Sequence, residues 1–432
     1  MSRQISRREF TKLCLAGVAG LELGLSGMPF PTAFASRAKR VVVIGGGFGG
    51  AAAAKFLRIY DPSIEVTLIE PKAVFHTCPM SNWVLGGLKS MAEISHDYQQ
   101  LAKRCGVKVI CDRAVSIDPR LRRVRLGRGG RVGYDRLVVS PGIDFLWDAI
   151  PGYSEKVAMG PMPHAYEAGT QTELLRRQLL ALPDGANVLV CAPQNQFRCP
   201  AAPYERAGMI AMYLKGAKPK SKVIILDAKD GFTKQDLFMQ GWERRYPGMI
   251  EWRSGSGGGK VEKVDAATMT VSTEFGDEKG GVINVIPPQR AGRIALDSGL
   301  ADLSGWCPVN PLTFESTRHE GIHVIGDAVQ GNPMPKSGTA AHAQGRIVAA
   351  VIAASLGGKT AGDFPLSSLC YSLIAPGYAV SVKAGFTRTS KGFVDHAGDS
   401  YMTPMDATTA QLEAEASHAE LWYQQITRDT WR

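Results

Sequence analysis

The 432-residue chain carries only eight cysteines, too few for a disulfide scaffold. It has no C-x-x-C-H, so a covalently held c-type haem, if one is used, sits on another chain. There is no zinc-finger spacing and no dense basic run. The balance of 50 Lys+Arg against 40 Asp+Glu, formally +10, therefore argues only weakly for nucleic acid. It suits an anionic small substrate or an acidic protein partner equally well. Glycine is abundant, at 48 residues, but follows no Gly-X-Y period, which excludes collagen. Internal repeats and low-complexity segments are missing too. What is present is 44% hydrophobic and 21% charged residues, enough for a substantial core, over a length that suits two or three domains.

Residues 1–35 read as a leader. Ser6-Arg7-Arg8-Glu9-Phe10-Thr11-Lys12 is a twin-arginine export signature. A mildly apolar stretch over 13–28, interrupted by Glu22, follows it, and Ala33-Phe34-Ala35 is a small-x-small cleavage site before Ser36. The stretch is too short and too polar to span a bilayer comfortably; a retained N-terminal anchor is the alternative. Cleavage leaves 46 basic against 38 acidic side chains and no membrane span in the mature chain. Because twin-arginine export carries folded proteins, often with a cofactor inserted, a periplasmic protein with a tightly held cofactor is expected.

Lys39-Arg40-Val41-Val42-Val43-Ile44 reads as a buried strand ending at Gly45-Gly46-Gly47-Phe48-Gly49-Gly50, which contains G-x-G-x-x-G. A helix over 51–60 follows, then the strand Ile64-Glu65-Val66-Thr67-Leu68-Ile69 and Glu70, 20 residues past Gly50. Each part has a physical task. Gly45 permits the tight turn, Gly47 lets backbone approach a pyrophosphate, and Gly50 lets helix and strand pack closely. The helix N-terminus favours phosphate, and Glu70 can accept from ribose hydroxyls. Tyr134 to Val139 is another buried strand, ending at the turn Ser140-Pro141-Gly142. Far along the chain, Gly321-Ile322-His323-Val324-Ile325-Gly326-Asp327-Ala328 is a strand ending in Gly-Asp, with Asp327 suited to a ribitol hydroxyl. A small-residue helix over 337–356 follows, and its positive end can face a flavin pyrimidine ring.

The ends of one site thus lie far apart in sequence, and a second domain is inserted between them. The expected fold is α/β, with two Rossmann-like dinucleotide-type domains and a C-terminal α+β unit. FAD would bind 36–155 together with 288–357, the insertion would cover 156–287, and the last unit 358–432. In the insertion, Ala186-Asn187-Val188-Leu189-Val190-Cys191-Ala192 leads into Pro193-Gln194-Asn195-Gln196-Phe197-Arg198-Cys199-Pro200, without the glycines of a second dinucleotide turn. A Rossmann-like shape that holds no NAD is the expectation. The Gly255–Gly259 run reads as a hairpin or loop, and 410–426 as an amphipathic helix.

These segments, together with Thr77-Cys78-Pro79-Met80-Ser81-Asn82, Pro203-Tyr204-Glu205-Arg206, Val285-Ile286-Pro287-Pro288-Gln289-Arg290-Ala291-Gly292, Gly305-Trp306-Cys307-Pro308-Val309 and Asn332-Pro333-Met334-Pro335-Lys336-Ser337-Gly338, resemble the flavoprotein subunit of flavocytochrome c sulfide dehydrogenase over the whole mature chain. That family is a relative of the glutathione-reductase-like pyridine-nucleotide disulfide oxidoreductases. The resemblance implies FAD, a periplasmic c-type cytochrome partner and oxidation of sulfide to zero-valent sulfur. It implies a thioether from Cys78 to the flavin 8α-methyl carbon, and a redox-active disulfide with one half at Cys199. FAD would be held by Gly45, Gly47, Gly50, Glu70, Gly142 and Asp327, and Cys199 would face the substrate.

The other half of that disulfide falls at Val329, which carries no sulfur. Three readings follow. Cys199 alone carries sulfur as a persulfide; another cysteine substitutes, Cys191 being nearest in sequence; or the chain acts on a different reduced sulfur compound. Arg198 and Arg206 are candidate positive neighbours for Cys199. Cys105, Cys111, Cys307 and Cys370 read as structural or packing residues, His323 as a core residue, and His342 as a side chain that could reach the ring. Two rivals remain open: a non-catalytic flavoprotein that carries sulfur or activates a partner, and a quinone-reducing NADH dehydrogenase, which the missing second fingerprint disfavours.

Overall fold

A computed structural model describes residues 39–362 and 364–432; the leader, with its twin arginines and Ala35, lies outside the described residues. Along the chain come β1 (Arg40–Ile44), α1 (Phe48–Tyr60), β2 (Glu65–Ile69), β3 (Lys108–Ile110) and β4 (Arg136–Val139). Next are β5 (Val188–Ala192), α2 (Ala202–Ala217), β6 (Val223–Asp227), β7 (Ile250–Arg253) and β8 (Val282–Val285), then β9 (Ile322–Val324) and α3 (Gly338–Leu356). The chain closes with β10 (Leu366–Ala375), β11 (Tyr378–Thr389), β12 (Gly392–Met402) and α4 (Thr409–Trp431).

Continuous aliphatic runs need cover on both faces, and parallel sheets supply it. The first sheet has the order β9-β4-β1-β2-β3 with every pairing parallel. It takes strands from both ends of the chain, as the separated Gly-x-Gly and Gly-Asp motifs require. The second sheet, β7-β6-β5-β8, is parallel throughout. Where the chain leaves the first sheet and returns, Ile143–Phe145 pairs antiparallel with Gln289–Ala291. Each parallel sheet has its own core, around Val42, Leu68 and Ile347 in one case and Val190, Ile225 and Phe238 in the other.

The C-terminal unit is an antiparallel meander, β10-β11-β12, with α4 packed on it. Its first two strands join both cores: Leu366 packs with the first, Ile374 and Val380 with the second. The three strands supply the β part of the expected α+β unit, but they carry no sequence signal of comparable strength to the glycine fingerprint, and their positions were not expected. The helix after them is longer than its amphipathic stretch. It starts at a capping box between Thr408 and Gln411 and runs on to Trp431. Of the two forms expected for the Gly255–Gly259 run it takes the loop, one wide turn tied down by Gly255 N–H to the Lys229 carbonyl at 2.9 Å and Ser256 N–H to Asp230 Oδ1 at 2.7 Å.

The last turn of α4 reaches back to the glycine turn. Trp431 is fully buried, donates from Nε1 to the Gly46 carbonyl at 3.1 Å, and stacks on His96 at 4.8 Å and on Phe75 at 5.3 Å. Tyr423 Oη bridges Thr77 Oγ1 at 2.8 Å and His96 Nε2 at 3.1 Å. Burial pushes the His96 imidazole down to about 4. Folded His96 therefore stays neutral while the unfolded chain takes up a proton from pH 6.5 downward. Stability is full above pH 6.5 and falls as the pH drops from 6.5 to about 4, by about 3 kcal/mol in total from this group. Denaturant midpoints at pH 7.5 and pH 5 check this: the difference should shrink in His96→Gln.

Candidate active site

The glycine turn has the shape its spacing predicts. Gly45 sits at φ +94°, and a Cβ there would lie 2.2 Å from the Ser140 carbonyl oxygen. A Cβ on Gly50 would lie 1.9 Å from the Gly45 oxygen, so strand and helix can only cross with glycine at both positions. Gly47, the residue before α1, caps it with no side chain, and the first turn holds no acidic residue. The N–H groups there are free of side-chain competition for a phosphate. Glu70, nearly buried at the end of β2, accepts from Gly46 N–H at 2.8 Å and Lys72 N–H at 3.0 Å. These residues fit the phosphate and ribose of a dinucleotide.

The equivalent corner of the second sheet is filled. Asp227, wholly buried at the end of β6, accepts from Tyr204 Oη at 2.5 Å, Lys229 Nζ at 2.5 Å and Trp252 Nε1 at 3.0 Å. Lys229 also holds the Pro193 carbonyl at 2.9 Å, and Phe232 stacks on Tyr204 at 3.5 Å. The acid that would meet a ribose in a dinucleotide site is thus consumed by protein side chains.

Between the two sheets and the C-terminal meander lies a cavity of about 80 Å³. Cys78, Arg198 and Cys199 all line it, as do Ser337, Gly338 and Thr339 at the N-terminus of α3. The positive end of that helix therefore faces the cavity, as expected. Ser337 Oγ caps Ala340 N–H at 3.2 Å and meets Ser368 Oγ at 2.8 Å. The remaining wall is largely apolar and includes Trp83, Leu373, Ala419 and Trp422.

Arg198 organises this space. Its Nε donates to Asp327 Oδ2 at 2.8 Å, and one terminal nitrogen lies 3.4 Å from Cys78 Sγ and 3.2 Å from the Tyr166 carbonyl. Gly142, at φ +67°, leaves the gap its other terminal nitrogen occupies: a Cβ there would lie 3.1 Å away. Burial opposes the guanidinium charge, but Cys78, Asp327 and Cys199 together raise its pKa above the usual value. Asp327, expected to meet a ribitol hydroxyl, is placed with this arginine on one of its oxygens.

Cys199 follows directly, in a left-handed conformation at φ +49° that costs a non-glycine residue about 1–3 kcal/mol. The conformation is held from three sides. Its N–H donates to the Lys336 carbonyl at 2.8 Å, and its carbonyl accepts from Tyr166 Oη at 3.0 Å and Ala202 N–H, at the start of α2, at 2.9 Å. Burial, with negative charge at Cys78 and Asp327, pushes the Cys199 thiol well up, and Arg198 offsets this only in part. A thiol in this setting is protonated at neutral pH, so the lowered pKa looked for beside the arginines is not what the site supplies. Arg206, the second candidate neighbour, is tied to Asn82, Asn284 and the His164 and Ala165 carbonyls. Its task is to join the halves of the structure.

The remaining expectations divide. Cys191 is buried within β5, its thiol pushed up to about 12 by burial, and lies outside the cavity wall. Val329 is also buried, paired as a backbone bridge with Cys307. His323 is a core residue of β9, with Nδ1 on the Thr313 carbonyl at 3.0 Å. His342 does not turn to the cavity; its Nε2 lies 2.9 Å from Asp429 on α4. Cys370, read as packing, lines the cavity with Cys78 and Cys199. Lys336, part of a family-like segment but given no role from the sequence, is buried with its ammonium 3.6 Å from the Trp306 ring and donates to the Asp327 and Val329 carbonyls. Burial lowers it to about 8. Neither residue could be found from one sequence, because only the returning strand and turn bring them to the site. Among the described residues no group of His, Cys, Asp or Glu could hold a metal ion.

A dinucleotide cradle on one parallel sheet, a filled counterpart on the other and cysteines between them define a flavoprotein of the pyridine nucleotide-disulphide oxidoreductase fold. A family model of that description matches residues 39–190. The model for the central part of the flavoprotein chain of sulfide dehydrogenase [flavocytochrome c] matches 172–287, and that for the flavin-binding part of flavocytochrome c sulphide dehydrogenase matches 363–431. A sulfide dehydrogenase [flavocytochrome c] flavoprotein chain from Chlorobaculum thiosulfatiphilum is 72% identical over 46 residues, 11% of this chain and 96% of that relative. The chain belongs to the family of flavocytochrome c sulfide dehydrogenase flavoprotein chains.

More distantly, the mitochondrial sulfide:quinone oxidoreductase of Mus musculus is 25% identical over 313 residues, 70% of this chain and 67% of that one. The crystal structure of the sulfide:quinone oxidoreductase from Aquifex aeolicus superposes with a TM-score of 0.70 at 20% identity, covering 91% of this chain and 92% of that one. A putidaredoxin reductase complexed with putidaredoxin gives 0.64 at 16% identity, over 90% and 93% of the two chains. These two likenesses concern the fold.

Arg198→Met would leave Asp327 without its ion-pair partner. It should cost about 2 kcal/mol in denaturant unfolding, and Arg198→Lys, which keeps charge but loses the fork, about half that.

Proposed function

We propose that this chain is a periplasmic, FAD-dependent sulfide dehydrogenase that oxidises sulfide to zero-valent sulfur and delivers electrons to a c-type cytochrome. The observation that carries the reading is the convergence of Cys78, Arg198 and Cys199 on one cavity at the N-terminal end of α3. Hydrosulfide is an anion, and that end of the helix and the arginine attract it. Cys199, fixed in a strained conformation, would hold its sulfur beside the anion, and the two electrons that sulfide loses would pass to the flavin.

Releasing zero-valent sulfur from hydrosulfide frees a proton and two electrons. Flavin supplies the step from pairs to single electrons. In this reading Gly45, Gly47, Gly50 and Glu70 hold the dinucleotide, and Cys78, whose sulfur faces the cavity, tethers it by a thioether. A tether suits an exported enzyme, since lost FAD cannot be replaced outside the cell. Export by the twin-arginine leader belongs to the same proposal, and no helix among the described residues is long and apolar enough to cross a membrane.

A second reading concerns the acceptor. The apolar cavity wall with Trp83 and Trp422, and relatives named sulfide:quinone oxidoreductases, favour a quinone in place of cytochrome c. Purified mature protein mixed anaerobically with sulfide should bleach its flavin band and then reduce cytochrome c faster than a short-chain quinone. The opposite order assigns the quinone.

Cys199→Ser should slow bleaching at least tenfold, and Val329→Cys should change the rate. Bleaching of Cys199→Ser at the wild-type rate removes Cys199 from the reaction. A flavin that ignores sulfide makes the chain a non-catalytic flavoprotein, and reduction by NADH restores the nicotinamide reading. Acid precipitation should leave the flavin on wild-type protein and release it from Cys78→Ser; release from both excludes the tether.

A further inference from the structure

Between β3 and β4 the chain forms a small antiparallel sheet of three strands, Ala114–Asp118, Arg123–Leu126 and Arg131–Gly133. Residues 113–133 hold seven arginines and one acid, Asp118, whereas all 432 residues together carry only a formal +10. No basic run within them is longer than Arg122-Arg123, so strand pairing, not a run, concentrates the charge. Val124, with Ile117 and Val132 opposite it on either side, packs into the core of the first sheet. Successive residues of a strand face opposite ways. Arg123 and Arg125 are therefore turned outward, and Arg131 stands directly opposite Arg125. Arg113, Arg120, Arg122 and Arg128 are exposed as well.

None of the ion pairs among the described residues includes one of these seven arginines. Arg125 Nε donates to Ser116 Oγ at 3.1 Å, and a terminal nitrogen of Arg128 to the Cys111 carbonyl at 2.9 Å, both neutral acceptors. Asp118 is opposite Arg123, but its Oδ1 accepts Leu121 N–H in the turn at 2.9 Å. Asp112 is buried and accepts the N–H groups of Arg113 and Arg128. Like charges directly opposite in a sheet are destabilising. This positive face is left for something outside the described residues to offset.

Composition narrows what that is. Residues 113–133 include no Trp, Tyr, Phe or Met, the side chains that anchor protein interfaces and, for the aromatic ones, stack on nucleic-acid bases. At the tip, Leu121 is 62% exposed between Arg120 and Arg122. Guanidinium forks match phosphate oxygens two at a time, and an aliphatic side chain among them suits the acyl layer beneath phospholipid headgroups. Clusters of about four to eight basic side chains are the size that holds anionic lipid.

We propose that this three-stranded sheet is a peripheral docking face for an anionic phospholipid bilayer. Its arginines meet lipid phosphates, and Leu121 enters the layer below them. Such attachment is reversible and weakens with salt. It needs no spanning helix, and no helix among the described residues is long and apolar enough to cross a membrane. None of residues 113–133 lines the active-site cavity, so the inference is independent of the sulfur chemistry and of the electron acceptor.

The purified flavin-loaded protein should sediment with phosphatidylcholine vesicles that contain phosphatidylglycerol, stay in solution with phosphatidylcholine alone, and be released by high salt. Replacing Arg123, Arg125 and Arg131 together by glutamine should lower the partition coefficient about a hundredfold, about fivefold for each. Leu121→Ser should lower it about tenfold. All four side chains are exposed, so these variants should keep the flavin spectrum and thermal midpoint of the parent.

No sedimentation with the phosphatidylglycerol vesicles overturns the proposal, as does equal binding to both kinds of vesicle. A triple variant that binds as the parent does moves the contact to another face and overturns it too. Binding of the parent to polyglutamate but not to the vesicles, lost in the triple variant, assigns the face to an acidic protein instead.

Discussion

The site depends on one guanidinium. Arg198 comes from the loop after β5, and Cys78 from the loop that follows β2, Tyr166 from the start of the insertion and Asp327 from the end of β9 all meet at its nitrogens. A planar fork can satisfy an ion pair, a carbonyl and a sulfur at once, which a lysine ammonium on a flexible stem does less well. The carbonyl, carboxylate and sulfur would otherwise face a partly dry cavity without a donor. Holding them also fixes the residue that follows, so the placement of Cys199 is a consequence of where Arg198 is anchored.

The second constraint is closure by the C-terminal unit. The meander contributes one wall of the cavity and α4 another, and Trp431 reaches beyond them to the glycine turn. Two domains meeting face to face would leave the crevice between their sheets open. Here a third unit packs into both hydrophobic cores and adds a further wall to the crevice. Electrostatic effects strengthen along such walls because part of the water is displaced there. That is why the orientation of α3 and the charge of Arg198 carry weight in the chemistry.

The second sheet shows how a dinucleotide fold is put to another use. Its strands, helix and terminal acid are all present, but Tyr204, Lys229 and Trp252 occupy the acid and Pro193 replaces the glycine turn. What remains is a rigid platform. From it, the loop after β5 projects Arg198 and Cys199, and α2 supplies Glu205, which grips Asn82, Trp83 and the Leu373 backbone. A fold element that binds a nucleotide in one sheet thus serves in the other to position side chains.

The sequence by itself determined the local parts. Glycines at 45 and 50 dictate a strand–turn–helix because other residues clash with backbone there, and β-branched runs dictate buried parallel strands. The missing glycines after Ala192 remove the second nucleotide turn. These are short-range facts, readable from neighbours in the chain. Tertiary structure decided the rest. Whether Arg198 or Arg206 serves the site, whether Cys191 or Cys370 shares the cavity, and whether His342 faces the ring or Asp429 all turn on contacts between residues far apart in the chain or on strands without a local signal. Sequence spacing carries no information about such contacts, because the folding back of the C-terminal unit sets them.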